Sequence, residues 1–248
     1  MNRVKVGFFS LSRRSPSGDD RPYLAWHQLD HMPEQYQLPG LVLGQRWAAT
    51  AACRASRAAG AGEWAEVEHV VCYLMGRPVD ETVDEFLALG RQLAEQGRFS
   101  SALPSTYRGA LRLLGTRAAE RVLVSPEVVP FRPHRGIYLI VDSPVDGAAQ
   151  DARLQRLHTD MLPSLVSVPG VAGAWSFATT PTIRRPLFTP GDLRITVCYL
   201  DDDPAAVGDG LAPVVGRHWE GDAAAHLLLA APFESLVTVD WQRFGPGN

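Results

Sequence analysis

Two short stretches of the chain occur twice in the same order, and this internal repeat limits the possible folds more than any other feature. The tetrapeptide Val-Cys-Tyr-Leu stands at residues 71–74 and again at 197–200, an offset of 126 residues. Upstream, Asp-His-Met-Pro at 30–33 aligns with Asp-Met-Leu-Pro at 160–163, an offset of 130, and each is followed by a Pro-Gly pair. Two landmarks in one order at nearly one offset predict a tandem duplication.

Both halves indicate the same order of elements, strand–helix–strand–strand–helix–strand, from their apolar periodicity, helix caps and turn residues. The first half predicts strands at 4–11, 41–47, 67–75 and 121–129, with helices from Asp19 or Asp20 to about 32 and at 81–96. The second half predicts strands at 136–141, 171–177, 193–200 and 234–241, with helices at 148–161 and 204–219.

Prolines and glycines set the predicted ends of the helices. Pro33 has no backbone N–H and disfavours helical geometry at the preceding residue, so the first helix should end near Met32. Pro163 should break the corresponding helix of the second half in the same way. Gly97 follows the second helix of the first half and should end it.

Two segments break the symmetry between the halves. Residues 100–120 have no counterpart in the predicted element order, and we expect an insertion with a short helix around 107–114. Residues 179–192 contain proline and glycine and predict a long loop. Loops of this length in compact domains often act as lids or binding loops, although many are only decoration.

The predicted fold class is α+β, with two fused ferredoxin-like βαββαβ repeats. Each repeat has an antiparallel sheet with helices on one face, so its other face needs a cover. Two such sheets packed face to face within one chain form an intramolecular pseudo-dimer. We place the first repeat at 1–130, with the insertion at about 99–120, and the second at 131–248.

Composition excludes several classes of function. The net charge of −3 leaves no basic surplus for binding nucleic acid. No apolar run reaches the length of a membrane span, and the N-terminus lacks a signal peptide. The three cysteines, Cys53, Cys72 and Cys198, have neither zinc-ligand nor disulfide-framework spacing. We therefore expect a cytoplasmic protein without a structural metal site.

One stretch resembles a known family. It is similar to the pattern of EthD-like proteins, in the dimeric α+β barrel superfamily. The matching residues are Trp26-His27, Asp30-His31, Pro33-Glu34, Pro39-Gly40 and Arg46-Trp47. The resemblance is close over about 22 residues and extends loosely to the whole chain through the repeat. It implies an active cleft between the sheet and the helices. The superfamily includes cofactor-free oxygenases, isomerases, polyketide cyclases, decarboxylases, dehydratases and some haem enzymes, so the fold does not choose the reaction.

The residues of this stretch supply the candidate catalytic groups. His27, His31 and Glu34 are spaced i, i+4, i+7 and would share one face of a helix. His31 would lie in the last turn, where the helix dipole and neighbouring Asp30 favour the protonated imidazole. A histidine that titrates near neutral pH can act as general acid or base. The structural alternative is that His31 only fixes the turn after Pro33.

A comparison of the two halves adds one further expectation. His31 aligns with Met161 and Glu34 with Ser164, whereas Asp30 is retained as Asp160. The retained residue suits a structural role at the end of a helix. The residues that are not retained, His31 and Glu34, are those that the second copy would not need if the protein has a single site. We therefore expect one polar site, in the first half, and the alternative is drift at exposed positions.

Aromatic and cationic side chains nearby are candidates for substrate binding. Trp26, Trp47 and Tyr73 could form the walls of a pocket for a flat ring, although such residues are more often core. Arg46 could hold a carboxylate or phenolate through two hydrogen bonds, or could be a solvated residue at a strand end. A metal held by His27, His31 and Glu34 lacks a second cluster of ligands, and none is expected.

Three functions follow from the sequence. The leading hypothesis is an enzyme that acts on a small hydrophobic, cyclic or polyketide-like compound through histidine acid–base chemistry, as an isomerase, cyclase, dehydratase or decarboxylase. The second is oxygen chemistry in the same cleft, either without a cofactor or with haem on a histidine. The third is a non-enzymatic ligand-binding or accessory protein. No nucleic acid or membrane partner is expected, and a homodimer of the pseudo-dimer is the alternative to a monomer.

Overall fold

The computed structural model describes residues 2–100, 103–145, 150–219 and 222–236. The strands are β1 (Val6–Ser12), β2 (Leu41–Ala48), β3 (Ala59–Gly60), β4 (His69–Met75), β5 (Ser105–Ala118), β6 (Gly136–Pro144), β7 (Val171–Ala178), β8 (Arg194–Leu200) and β9 (Ala225–Ser235). The helices are α1 (Arg21–Trp26), α2 (Met32–Gln35), α3 (Ala51–Ala55), α4 (Val79–Glu95), α5 (Gln150–Arg156), α6 (Leu162–Val166) and α7 (Pro204–Trp219).

The strands form one antiparallel sheet that closes on itself. Its order is β2-β4-β1-β5-β7-β8-β6-β9, with β3 added beside β9. The two halves are joined at one seam by β5 and β7, where Arg112 pairs with Ala178. They are joined at the other seam by β2 and β9, where Trp47 pairs with Ser235. The sheets of the two halves thus face each other across one core, as expected, and the hydrogen-bonded seams join them into a single sheet.

Large apolar side chains fill the interior of the closed sheet. They form one continuous core to which both halves contribute, including Phe9, Trp47, Leu111, Trp175 and Phe177. Because successive residues of a strand face opposite sides, the residues between them lie on the outer face, under the helices. Two further apolar clusters form there, one in each half. Apolar side chains thus fill the interior of the sheet, and the two outer clusters lie between the sheet and the helices.

The first half ends in a strand that the sequence analysis placed wrongly. Residues 105–118 form β5, in place of an insertion with a helix at 107–114, and the predicted strand at 121–129 is mostly loop. Tyr107, Leu111 and Leu114 fit helical spacing, but Tyr107 and Leu111 also fit a period of two and both face the interior. Pairing with β1 and β7 decides in favour of the strand.

The last strand also begins earlier than expected. The prediction was 234–241, whereas β9 spans Ala225–Ser235 and residues 237–248 lie outside the described ranges. On the side of β9 away from β6, β3 pairs at Leu229 and Ala230 and β2 only from Glu234. Pro232 falls in the gap between them, where a missing N–H breaks no ladder bond.

The first helix of each half continues past its proline. A π-helical turn at His27–His31 joins α1 to α2, and one at Leu157–Met161 joins α5 to α6. Pro33 and Pro163 lie near the start of α2 and α6, where a proline is tolerated. The predicted helix end at Met32 is therefore wrong. Each π turn has one residue more than an α-helical turn, and this extra residue accommodates the proline that lacks a backbone N–H.

The repeated Val-Cys-Tyr-Leu segments face opposite sides of the sheet. Cys72 belongs to the interior core, whereas Cys198 belongs to the outer cluster of the second half. Strands β4 and β8 run from His69 to Met75 and from Arg194 to Leu200, so equivalent positions differ by 125 residues rather than 126. A one-residue shift exchanges the two faces of a strand. Equivalent positions are therefore Tyr73 and Cys198.

Other helix predictions are close to the observed bounds. Helix α7 spans Pro204–Trp219, as expected, and α4 spans Val79–Glu95. Gly97 follows α4 with a φ of +69°, a left-handed conformation that suits glycine at a helix end. None of the helices in the described ranges combines the length and apolar character needed to cross a membrane.

Candidate functional site

The candidate residues lie between the outer face of the first half's sheet and the segment α1–π turn–α2. On β4, His69, Val71 and Tyr73 alternate with interior residues and face outward. Gly44 pairs with Tyr73 and Arg46 pairs with Val71, so the outward-facing residues of β2 lie beside them. A Cβ at Gly44 would lie 2.9 Å from the Tyr73 ring, so the glycine makes room for that ring.

His31 is buried on the inner side of the π turn. Its ring stacks on Trp26 with centroids 4.8 Å apart, and Phe99 meets it edge-on at 5.3 Å. The Gln35 amide nitrogen lies 3.3 Å from His31 Nε2, while Nδ1 has no hydrogen-bond partner among the described residues. Rotation of the Gln35 amide by 180° would exchange donor for acceptor at Nε2. The orientation of the Gln35 amide and the tautomer of His31 are therefore coupled.

His27 lies one turn before His31 and is buried more deeply. The two ring centroids are 5.4 Å apart. The Tyr73 hydroxyl lies 3.3 Å from His27 Nε2, and Nδ1 again has no partner within the described ranges. Tyr73 also packs on Phe8 and Phe86 of the outer cluster, which fixes its ring. Burial raises the pKa of Tyr73 well above its usual range, so its hydroxyl stays protonated.

Both histidines are neutral at physiological pH. Burial lowers the pKa of His31 to about 4; the charge of Glu34 opposes this shift, and the charge of Arg46 contributes to it. Burial also lowers the pKa of His27 well below its usual value, with Arg46 and His31 adding to the effect. The expectation that His31 favours the protonated form is therefore wrong. The helix continues to Gln35, so His31 does not lie at a helix end, and desolvation dominates.

Arg46 is a buried cation without an anionic partner among the described residues. Its side chain is 5% exposed, and none of its three guanidinium nitrogens has a hydrogen-bond acceptor there. The guanidinium carbon lies 4.9 Å from the centroid of the Tyr23 ring. Tyr23 in turn contacts His27, with ring centroids 5.9 Å apart. The alternative of a solvated arginine at a strand end is thus excluded.

A buried Asp–His pair completes this region and was missed by the sequence analysis. His69 Nε2 lies 2.9 Å from Asp20 Oδ2, and the Ser15 backbone N–H donates to Asp20 Oδ1 at 2.7 Å. Asp20 is at the start of α1 but makes no side-chain cap. Burial alone would raise the pKa of Asp20, but its hydrogen bonds and charged neighbours lower it overall. Burial lowers the pKa of His69, and Asp20 partly offsets this.

The candidate residues border two separate cavities. A cavity of about 210 Å³ is lined by Trp26, Asp30, His31 and Glu34, together with Leu93 and Arg98. A more open cleft of about 580 Å³ contains Arg46 and Trp47 on the other side of the helical segment. The structure therefore brings His31, Trp26, Asp30 and Glu34 together around one hollow and places Arg46 and Trp47 in another. His27 and Tyr73 are buried between the two.

Three candidates have roles that differ from the expectations. The Glu34 carboxylate is half-buried and forms an ion pair with Arg98, which faces solvent. Asp30 is exposed at the rim of the smaller cavity. The Trp47 ring lies in the interior core, and its indole N–H donates to His134 Nε2 at 3.1 Å. Trp47 thus lines the larger cleft mainly as a structural residue.

The second half has no polar equivalent of the histidine pair. The residues at an offset of 130 from His27, His31 and Gln35 are Leu157, Met161 and Leu165. All three are fully buried in the outer cluster of that half. The inner face of the helical segment is therefore polar in one half and apolar in the other.

A metal site is not evident in the described part of the chain. No group of three or more histidine, cysteine, aspartate or glutamate side chains is arranged there to hold an ion. Cys53, Cys72 and Cys198 are buried thiols. Burial raises the pKa of Cys198 to about 12, so it stays protonated.

Comparison with solved structures identifies the fold. No protein-family model matches the sequence, and no curated protein matches it. The chain is similar to an anthrone oxidase-like protein, with a TM-score of 0.54 and 11% identity over 95% of this chain and 92% of that one. It is also similar to a mutant chlorite dismutase from Candidatus Nitrospira defluvii, with a TM-score of 0.53 and 13% identity over 97% and 94% of the two chains.

The chain shares its fold with these two proteins. In the present chain, this fold is a closed antiparallel sheet, β1–β9, with helices on its outer face. At 11–13% identity the likeness concerns the fold, and activity has to be argued from the site.

Proposed function

We propose that the protein is an enzyme acting on a small hydrophobic, cyclic or polyketide-like compound, with its site in the first half. Arg46 holds an anionic oxygen of the substrate, and His31, assisted by His27, moves a proton. The resulting reaction is an isomerisation, cyclisation, dehydration or decarboxylation. The observation that carries this proposal is the buried guanidinium of Arg46, which has no anionic partner in the described ranges and acts electrostatically on both histidines.

The charge of a bound anion would tune the histidines for catalysis. With a pKa of about 4, His31 is a weak base in the empty site. A negative charge beside Arg46 neutralises the cation that disfavours protonation, so the pKa of His31 rises when an anionic substrate or intermediate is present. General catalysis is most efficient when the pKa approaches the working pH. His31 therefore becomes a stronger base only when the substrate is bound.

The larger cleft suits the body of such a substrate. Its volume of about 580 Å³ lies within the range of small-molecule sites. Apolar side chains such as Met32, Leu43 and Phe131 line it beside Arg46. The smaller cavity beside His31 leaves room for a part of the substrate or for water. Binding across both sides would require a small movement of the helical segment between them.

The test begins with identification of the ligand. Mass spectrometry of small molecules released from the purified protein should find an acidic or phenolic apolar compound that is depleted in Arg46→Met. Turnover of that compound should fall by at least a hundredfold in His31→Met, a typical contribution of a general acid or base. Met161→His, the reverse change in the second half, is the matched control and should not add activity. Unchanged turnover in His31→Met would remove the acid–base role.

A cofactor-free oxygenase is the second candidate. Its support is the structural likeness to the anthrone oxidase-like protein. The same residues would serve, because deprotonation next to Arg46 yields an electron-rich anion that can react with dioxygen. Oxygen consumption coupled to loss of the identified compound would select this candidate, whereas turnover under nitrogen would select the non-oxidative one.

A haem does not fit beside His31 as the residues stand. The adjoining cavity of about 210 Å³ is smaller than the roughly 300 Å³ at which small-molecule pockets begin. Trp26 and Phe99 also cover the ring of His31. We therefore assign no step to haem, and titration with hemin should give no Soret shift that depends on His31.

We also propose that the two halves arose by duplication of an EthD-like unit. The recurrence of strand–helix–strand–strand–helix–strand and of the π turn before Pro33 and Pro163 supports this. The divergence of His27 and His31 from Leu157 and Met161 is what one retained site would allow. Superposition of experimental coordinates of the two halves would test the duplication.

A further inference from the structure

The second half contains a buried group of charged side chains that the proposed activity does not use. Asp142 on β6, Arg153 on α5 and Arg194 on β8 are each less than 10% exposed. Arg153 Nη1 forms an ion pair with Asp142 Oδ1 at 2.9 Å. The Trp219 indole N–H donates to Asp142 Oδ2 at 2.8 Å. Asp142 Oδ1 makes no further hydrogen bond in the described ranges, and Asp142 pairs with Arg194 in the register of β6 and β8.

The second carboxylate of this group is fully engaged. Asp222 Oδ2 accepts from Arg153 Nε at 3.1 Å and from Arg156 Nη2 at 2.7 Å. Its Oδ1 accepts from the backbone N–H of Ala224 at 2.9 Å. Asp142 and Asp222 thus form their ion pairs with Arg153 and Arg156. Arg194 forms no ion pair in the described ranges.

Arg194 is a buried cation next to a cavity. It is 6% exposed, and its Nε and Nη1 atoms have no hydrogen-bond partner among the described residues. Burial and neighbouring Arg153 lower the pKa of Arg194 to about 10, while the charges of Asp142 and Asp222 oppose the shift, so the side chain is charged at neutral pH. A buried charge without a partner is strongly unfavourable. An anion from outside the chain would remove that penalty.

The cavity beside Arg194 has an apolar wall opposite the cation. Its volume is about 320 Å³, and it lies between the ends of β7 and β8 and the start of α5. Leu114, Leu154 and Leu193 line it together with Arg153 and Arg194. Two carboxylates also border it. Asp192 is paired with Arg184 and with the Thr179 hydroxyl, and Asp151 is exposed to solvent.

We propose that this cavity is a second binding site, for a small organic carboxylate with an apolar body. The carboxylate lies against Arg194, whose planar guanidinium can offer two parallel N–H donors. The apolar body contacts Leu114 and Leu154. The volume is sufficient for a single ring with a short substituent. An inorganic anion would satisfy Arg194 but would leave the apolar wall without a contact.

Isothermal titration of the full chain with benzoate tests the site. Benzamide, a neutral analogue of the same shape, and inorganic phosphate are the comparison ligands. We expect benzoate to bind, and its affinity to fall at least tenfold in Arg194→Met and in Leu154→Trp, which fills the cavity but keeps the cation. Arg117→Gln, at an exposed position of β5 that does not line the cavity, should bind as the wild type does. Titration of Arg46→Met in parallel separates this site from any binding in the first half.

Three results would overturn the proposal. They are equal binding of benzoate to wild type and Arg194→Met, equal binding of benzamide and benzoate, and binding of phosphate without binding of benzoate. Thermal unfolding without ligand adds an independent check. Arg194→Met should be at least as stable as the wild type, since it removes an unpaired charge. A clear loss of stability would show that Arg194 has a structural partner within the chain and would also overturn the proposal.

Discussion

The guanidinium carbon of Arg46 lies 4.9 Å from the centroid of the Tyr23 ring, the one favourable contact of that group in the described part of the structure. A cation–π contact contributes about 0.5–2 kcal/mol. Removing one partner of a buried ion pair costs about 3–5 kcal/mol, because it leaves a buried charge uncompensated. The contact with Tyr23 therefore offsets only part of the cost of burying Arg46, and the site is poised to bind an anion.

Arg46→Met should stabilise the ligand-free protein. The substitution keeps most of the apolar length of the side chain and removes the buried charge, so the free energy of unfolding should rise by about 1–3 kcal/mol. Urea denaturation monitored by circular dichroism measures this change. Arg112→Met, at an exposed position of β5, is the control and should change stability little. A marked destabilisation by Arg46→Met would mean that the guanidinium has a partner in solution.

His31→Met should make stability less dependent on pH. In the unfolded chain histidine binds a proton below about pH 6.5, whereas His31 in the folded protein stays neutral down to about 4. The folded state therefore loses stability relative to the unfolded state as pH falls from 6.5 to 4, by up to about 3 kcal/mol from this residue. Methionine removes this contribution and matches Met161 of the second half.

The measurement for His31→Met is the free energy of unfolding at pH 7, 5.5 and 4.5. His158→Met, at an exposed position of the second π turn, is the control. Identical pH profiles for the wild type and His31→Met would contradict the burial of a neutral His31.

Gln35→Glu should raise the pKa of His31. The Gln35 side-chain nitrogen lies 3.3 Å from His31 Nε2, so the substitution places a carboxylate beside the ring. An adjacent negative charge favours the imidazolium form. Nitrogen-15 NMR of the imidazole during a pH titration should show His31 titrating well above 4 in the variant, and a pKa that stays near 4 would show that residue 35 does not face Nε2 in solution. Gln155→Glu, at an exposed position of α5 in the second half, serves as control.

Asp20→Ala should destabilise the first half. It removes the carboxylate that accepts hydrogen bonds from His69 Nε2 and from the Ser15 backbone N–H. A loss of about 3 kcal/mol is expected for breaking such a buried pair. The matched control is Asp19→Ala, whose ion pair with Arg21 is largely solvated and should matter little. Equal effects of the two substitutions would show that the Asp20–His69 pair is not structural.

The sequence was sufficient for the element order but not for the placement of β5 and β9. Helix α7 was predicted at its observed bounds, Pro204–Trp219. Residues 105–118 fit both helical and strand periodicity, and only the neighbouring strands decide between them. Strand β9 was predicted at 234–241 but spans Ala225–Ser235, and Pro232 lies in the gap between its partners β3 and β2. Long-range pairing cannot be read from local pattern alone.

The candidate site was likewise predicted only in part from the sequence. The spacing of His27 and His31 was sufficient to place both rings on one buried face, and the structure places Gln35 on that face as well. Their neutral state could not be predicted, because it depends on burial under Trp26 and Phe99 and on the charge of Arg46. His69 and Asp20 are distant in sequence. The alternation of His69 with Tyr73 along β4 was the available signal, and it marked His69 as outward-facing.

The most direct test of the account is the pKa of His31 in Arg46→Met compared with the wild type. Nitrogen-15 NMR of the imidazole rings, assigned with His31→Met, measures both values in the absence of ligand. Because the Arg46 charge disfavours imidazolium at His31, the pKa should be about 4 in the wild type and should rise when the charge is removed. An unchanged pKa would show that Arg46 and His31 do not form one electrostatically coupled site.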